Sequence, residues 1–97
     1  MSAYIILCNF TDQGVRNVKD TVKRLKESQK AIEAAGGRQI GAWWTLGQYD
    51  LVIVAEGPDD DTVMRQLLAT GMQGNVRTTS LRAFSEDEMD KIVQGLR

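Results

Sequence analysis

Tyr49 and Asp50 put a phenol and a carboxylate side by side where a strand begins, and Arg77 lies on a later strand. A phenol donates a hydrogen bond, a carboxylate orients a donor or takes a proton, and an arginine fork holds a carboxylate or phosphate. Gathered in one pocket, the three would hold an anionic metabolite. The same trio would serve an enzyme, with Asp50 as base and Arg77 stabilising an enolate or oxyanion. Neighbours on a strand point to opposite faces, so Tyr49 and Asp50 share a cavity only if a turn or bulge re-aims one. The local alternative is that Asp50 accepts backbone amide hydrogens at the turn while Tyr49 packs. Arg77 has a bland alternative too, an ion pair with Asp50, Asp12 or Glu56. Asn9, Trp43 and Trp44 are candidates to line the pocket. As neighbours, the two tryptophans point to opposite faces, one under the helices and one away from them.

The rest of the composition narrows the chemistry. The 97 residues contain no histidine and one cysteine. That removes the commonest general acid/base, every Ser-His or Cys-His nucleophile pair, Cys-rich zinc sites and iron–sulfur clusters. Cys8 sits in an apolar stretch and reads as a small core residue. Asp59, Asp60 and Asp61 lack metal-loop spacing, and a helix dipole explains them. No metal and no cofactor is expected. Twelve Lys+Arg against thirteen Asp+Glu gives a net charge of −1, with none of the basic excess of a nucleic-acid binder. The one positive stretch, Arg16 to Lys30, is diluted by Asp20 and Glu27. No apolar run is long enough for a membrane span, and the N-terminus lacks the basic flank of a signal peptide. A lone thiol suits the reducing cytoplasm, which is the expected location.

These residues need a frame. Ala3 to Phe10 reads as a buried strand. Thr11 caps a long amphipathic helix with Val15, Val18, Val22, Leu25 and Ile32 on one stripe, ended by Gly36-Gly37. Arg38 to Leu46 and Leu51 to Ala55 read as a hairpin joined by a two-residue Gly47-Gln48 turn. Pro58-Asp59 opens a second helix with Val63, Leu67 and Leu68 inward. Val76 to Phe84 is the fourth strand, and Ser85 with Glu88 forms the capping box of a terminal helix. The order is βαββαβ plus a helix, a ferredoxin-like α+β pattern with one antiparallel four-stranded sheet in a single domain, residues 1–97. Both main helices then cover one sheet face. The other face is left bare, and an apolar bare face marks an interface. A homodimer or higher oligomer closing two sheets into an α/β barrel follows.

The stretch Trp44-Thr45-Leu46-Gly47-Gln48-Tyr49-Asp50-Leu51-Val52 resembles the signature of the GYD domain family, whose Gly, Tyr and Asp would be Gly47, Tyr49 and Asp50. Asn9 to Gly14, Pro58-Asp59-Asp60 and Gly74 to Thr78 are similar to family members as well, in the same order. The resemblance implies a dimeric α/β-barrel fold in small bacterial proteins of largely unknown function. Barrels of that kind also host cofactor-independent oxygenases and isomerases. Three readings therefore stand together: a homo-oligomer that binds a small, anionic metabolite, an enzyme using Asp50 and Arg77, and a structural assembly module without ligand.

Overall fold

The strand that everything else pairs with is β1, Ser2–Phe10. Its alternation puts Tyr4, Ile6 and Cys8 on one face, and all three are buried. In the computed structural model, which describes all 97 residues, β1 lies between β3 (Leu51–Gly57) and β4 (Val76–Ala83), and β2 (Arg38–Trp44) borders β3. Every pairing is antiparallel, in the order β2-β3-β1-β4, which is the ferredoxin-like arrangement. Ile6 faces Ile53 and Cys8 faces Leu51 across the central pair. A one-residue slip would exchange buried and open faces along the whole sheet, so this apolar match fixes the register.

Two helices cover that face. In α2, Thr21–Ala34, Leu25 and Ile32 reach the core. In α3, Asp60–Met72, Val63 and Leu67 do the same. Leu68, expected to point inward with them, is instead exposed.

The long first helix is broken. A short α1, Asp12–Arg16, gives way at Asn17 to a 3-10 turn at Val18–Asp20 before α2 begins. Gly14 and Asn17 are both poor helix formers, and α1 is tied elsewhere by its own contacts. At the break the Asn17 carbonyl accepts both the Asp20 amide at 3.1 Å and Arg24 Nη1 at 2.7 Å. Val15, Val18 and Val22, at the near end of the apolar stripe, consequently stay exposed.

The β2–β3 hairpin also differs from the expected tight turn. Its connection runs over residues 45–50. The Thr45 amide donates to the Asp50 carbonyl at 3.0 Å and its hydroxyl to the Tyr49 carbonyl at 2.5 Å. Gly47 sits in the loop at φ +114°, a conformation closed to side-chain-bearing residues. The last helix, α4 (Glu86–Gln94), has the capping box that Ser85 and Glu88 announce. It packs only lightly on the rest of the chain, and Met89, Ile92 and Val93 are largely exposed.

Candidate functional site

Asp50 immediately precedes β3. Its Oδ2 accepts the Phe10 amide at 2.8 Å, while its own amide donates to the Cys8 carbonyl at 2.9 Å. The carboxylate thus holds the end of β1 to the start of β3. Tyr49, half-buried in the loop, contributes its carbonyl to Thr45. Asn9 and Arg77 are direct partners across β1 and β4. They lie on the face away from the helices, one step from Cys8 and Thr78.

Trp43 shares that open face, opposite Val52. Its indole lies along β2 over Gly41, where a Cβ would come within 2.6 Å of the ring. Trp44 takes the other side, and its Nε1 donates to Thr21 Oγ1 at 3.1 Å on α2. The structure therefore brings Asn9, Trp43 and Arg77 to one face, sets Asp50 and Tyr49 at its end, and separates Trp44 from them. Ile5, Leu7, Val52, Val54 and Leu81 continue the face as an apolar field.

Two of the stretches that carry the family likeness pack on each other. The Thr11 hydroxyl caps α1 by accepting from Gly14 N at 3.1 Å and donates to the Gly74 carbonyl at 2.5 Å. Gln13 Nε2 reaches the Gln73 carbonyl at 2.9 Å and Asn75 Oδ1 at 3.1 Å. A Cβ on Gly14 would stand 1.9 Å from the Asn75 carbonyl oxygen, so only glycine fits. These residues form a structural clasp between the loops after β1 and before β4.

A second cluster, at the far end of the sheet, escaped sequence reasoning. The Tyr4 phenol donates to Asp60 Oδ1 at the start of α3. Hydrogen bonding to Asp60, helped by burial, pushes the phenol above its ordinary pKa of 10.0, so it serves as a donor and not a base. Arg82 lies 4.5 Å from the centroid of the Phe84 ring and 3.7 Å from Glu88. Strand parity does put Tyr4 opposite Arg82, but Asp60 joins them only through the tertiary fold.

Cys8 is 2% exposed, and burial pushes its thiol up to about 11. It forms part of the floor of a cavity of about 110 Å³ between α2, α3 and the sheet. Its polar walls carry both charges, Arg24 and Glu27, beside Thr21, Ser28, Gln66 and Thr70. Arg24 is the residue that sequence reading passed over, as one of many charges on a helix. No group of three or more Cys, Asp or Glu side chains gathers to hold a metal, and no helix is long and apolar enough to cross a membrane.

Strand order and helix placement define a ferredoxin-like α+β domain with one sheet face open. The chain belongs to the GYD domain family, whose profile it matches over residues 4–93. A relative from Thermus thermophilus, described as a glutamine synthetase and cystathionine beta-lyase binding protein, is 34% identical over 85 residues. The match covers 87% of this chain and 90% of that one. The crystal structure of TTHA0845, also from Thermus thermophilus, superposes with a TM-score of 0.52 at 20% identity, over 88% of this chain and 95% of the other. That likeness is one of fold.

Proposed function

We propose that this chain is a self-associating binding domain: two copies close their open sheet faces into a barrel, and the assembly docks a protein partner. One observation carries the self-association. A compact monomer of 10.8 kDa exposes about 5,500 Å². This chain exposes 6846 Å². The excess, about 1,300 Å², is more than the roughly 800 Å² that one partner covers in a standard complex and falls in the range of obligate homodimers. The open face and α4 each contribute exposed apolar residues to it, Trp43 and Leu81 on the one and Met89, Ile92 and Val93 on the other.

The docking role draws on the Thermus relative, whose name describes binding to two enzymes of amino-acid metabolism. The intended partner here is an enzyme of that kind, in the cytoplasm where a lone buried thiol stays reduced. A small anionic metabolite fits the same assembly. Asn9, Trp43 and Arg77 would meet it at the seam, with Tyr49 and Asp50 at the rim. The Asp50 carboxylate already accepts the Phe10 amide, which supports a structural role for it over that of a catalytic base.

Native mass spectrometry and light scattering test the assembly. Wild type is expected as a dimer or higher even-numbered oligomer. Leu7→Arg, in the middle of the open face, is expected to be a folded monomer. Binding to glutamine synthetase and cystathionine β-lyase from the same organism, measured by surface plasmon resonance, should fall at least tenfold in that variant. A wild-type chain that is monomeric at micromolar concentration would sink the proposal.

A further inference from the structure

The start of α4 is held in place by local contacts. The Ser85 amide donates to Glu88 Oε1 and the Glu88 amide to Ser85 Oγ, each at 3.1 Å. Glu88 also lies 3.7 Å from Arg82, whose guanidinium sits over the Phe84 ring. These contacts fix the direction in which the helix leaves β4. Past its first turn α4 packs only lightly on the rest of the chain. The Gly95 and Leu96 amides donate to the Ile92 and Val93 carbonyls at 3.1 Å, which carries the turning backbone through Leu96. Met89, Ile92, Val93 and Leu96 therefore fall on one stripe with the i, i+3, i+4, i+7 spacing, and all are exposed. That spacing is how an amphipathic helix is read by an apolar groove in another molecule.

The borders of the stripe say what the groove is like. Glu86 and Asp90 lie one turn apart along one side of it. The ion pairs of the molecule are Arg38 with Glu56 and Arg82 with Glu88, so neither Glu86 nor Asp90 has a cation. Like charges one turn apart repel, and a basic rim would relieve them. The chain has an apolar groove of its own beside α3, where Met64, Leu68 and Met72 are exposed. It suits α4 poorly. Both helices start at the same end of the sheet, since Tyr4 bonds Asp60 and pairs with Arg82. Lying along α3, α4 would bring Glu86, Asp87 and Asp90 alongside Asp60 and Asp61.

We propose that α4 is a preformed recognition helix whose Met89, Ile92, Val93 and Leu96 stripe enters an apolar groove, rimmed by Lys or Arg, on the partner enzyme. The inference rests on the docking role proposed above and names the part of the chain that makes the contact. An assembled pair presents one α4 from each chain, so losing the assembly also loses avidity. The test measures binding of the same two enzymes, glutamine synthetase and cystathionine β-lyase, by surface plasmon resonance. Met89→Gln with Ile92→Gln removes the apolar stripe and keeps good helix formers. This variant should remain an oligomer by native mass spectrometry and bind about tenfold or more weakly. Glu86→Gln with Asp90→Asn should slow association and flatten its dependence on salt. In hydrogen exchange, the α4 amides should be weakly protected in the free protein and gain protection when the enzyme is added. If wild type binds neither enzyme, the docking role and this inference fall together. If wild type binds but the Met89/Ile92 variant binds equally well, or α4 gains no protection, this inference alone falls. Loss of the oligomer in that variant, or strong α4 protection in the free protein, would mean that α4 is covered by a second copy or by its own chain, and overturns it too.

Discussion

Asp50 spends its carboxylate on the Phe10 amide, and that fixes what its substitution does. Asp50→Ala leaves a half-buried donor unanswered and should cost about 1–3 kcal/mol in denaturant unfolding. Asp50→Asn keeps an acceptor and should lose less than half of that. If the asparagine variant keeps its stability yet loses a metabolite ligand, the residue acts in binding as well. Cys8 is a second case in which environment outweighs residue type. Its thiol is raised to about 11 and lies under the helices. The thiolate is the reactive form, so the folded protein should resist a disulfide-exchange reagent at pH 8 and react within seconds in denaturant. Fast labelling of the native chain would contradict the burial.

At the scale of elements, the clasp between residues 11–14 and 73–75 ties two loops that precede different structures, one a helix and one a strand. Gly14→Ala would drive a methyl into the Asn75 carbonyl and should destabilise by about 1–3 kcal/mol or more, read as a lower denaturation midpoint with unchanged slope. The helix caps respond to acid. The Thr62 amide holds Asp59 below its ordinary 3.8, and the Ser85 amide holds Glu88 below its ordinary 4.5. A depressed native pKa means that the unfolded chain binds more protons in acid. The stabilisation of α3 and α4 is therefore complete above about pH 4.5 and lost as pH falls through the lowered values. Hydrogen exchange should show the α4 amides losing protection first, because little else in the chain packs on that helix. Ser85→Ala should show the same loss at neutral pH.

For the whole molecule, a radius of gyration of 14.7 Å exceeds the roughly 12.5 Å of a compact domain this long. Only 8 of 97 residues are buried, too few to make the isolated chain a well-packed unit. Stability should therefore depend on concentration. The melting temperature is expected to rise across a hundredfold increase in protein for wild type and to stay flat for Leu7→Arg. A flat wild-type curve would mean that the exposed apolar surface serves some purpose other than self-association.

Much of the architecture is written in local pattern. Alternating apolar residues mark β1, an unbroken run marks β3, and Ser85 with Glu88 marks the start of α4, because each signal repeats within a few residues. The likeness around Gly47, Tyr49 and Asp50 places the chain in its family. The break at Asn17 was not legible, because the apolar stripe runs through it and only the clasp to residues 73–75 pulls α1 away. Nor could the six-residue loop be told from a two-residue turn; that depends on the Asp50–Phe10 bond between residues 40 positions apart. The candidate site divides the same way. Sequence parity determines that Trp43 and Trp44 part company and that Arg77 lies on the face opposite Thr78. Tertiary structure alone decides which face is covered by helices, and so which charges are exposed and which, like Arg24, are closed in. Periodicity is a property of neighbours along the chain, while burial and unmet hydrogen-bonding capacity are properties of neighbours in space.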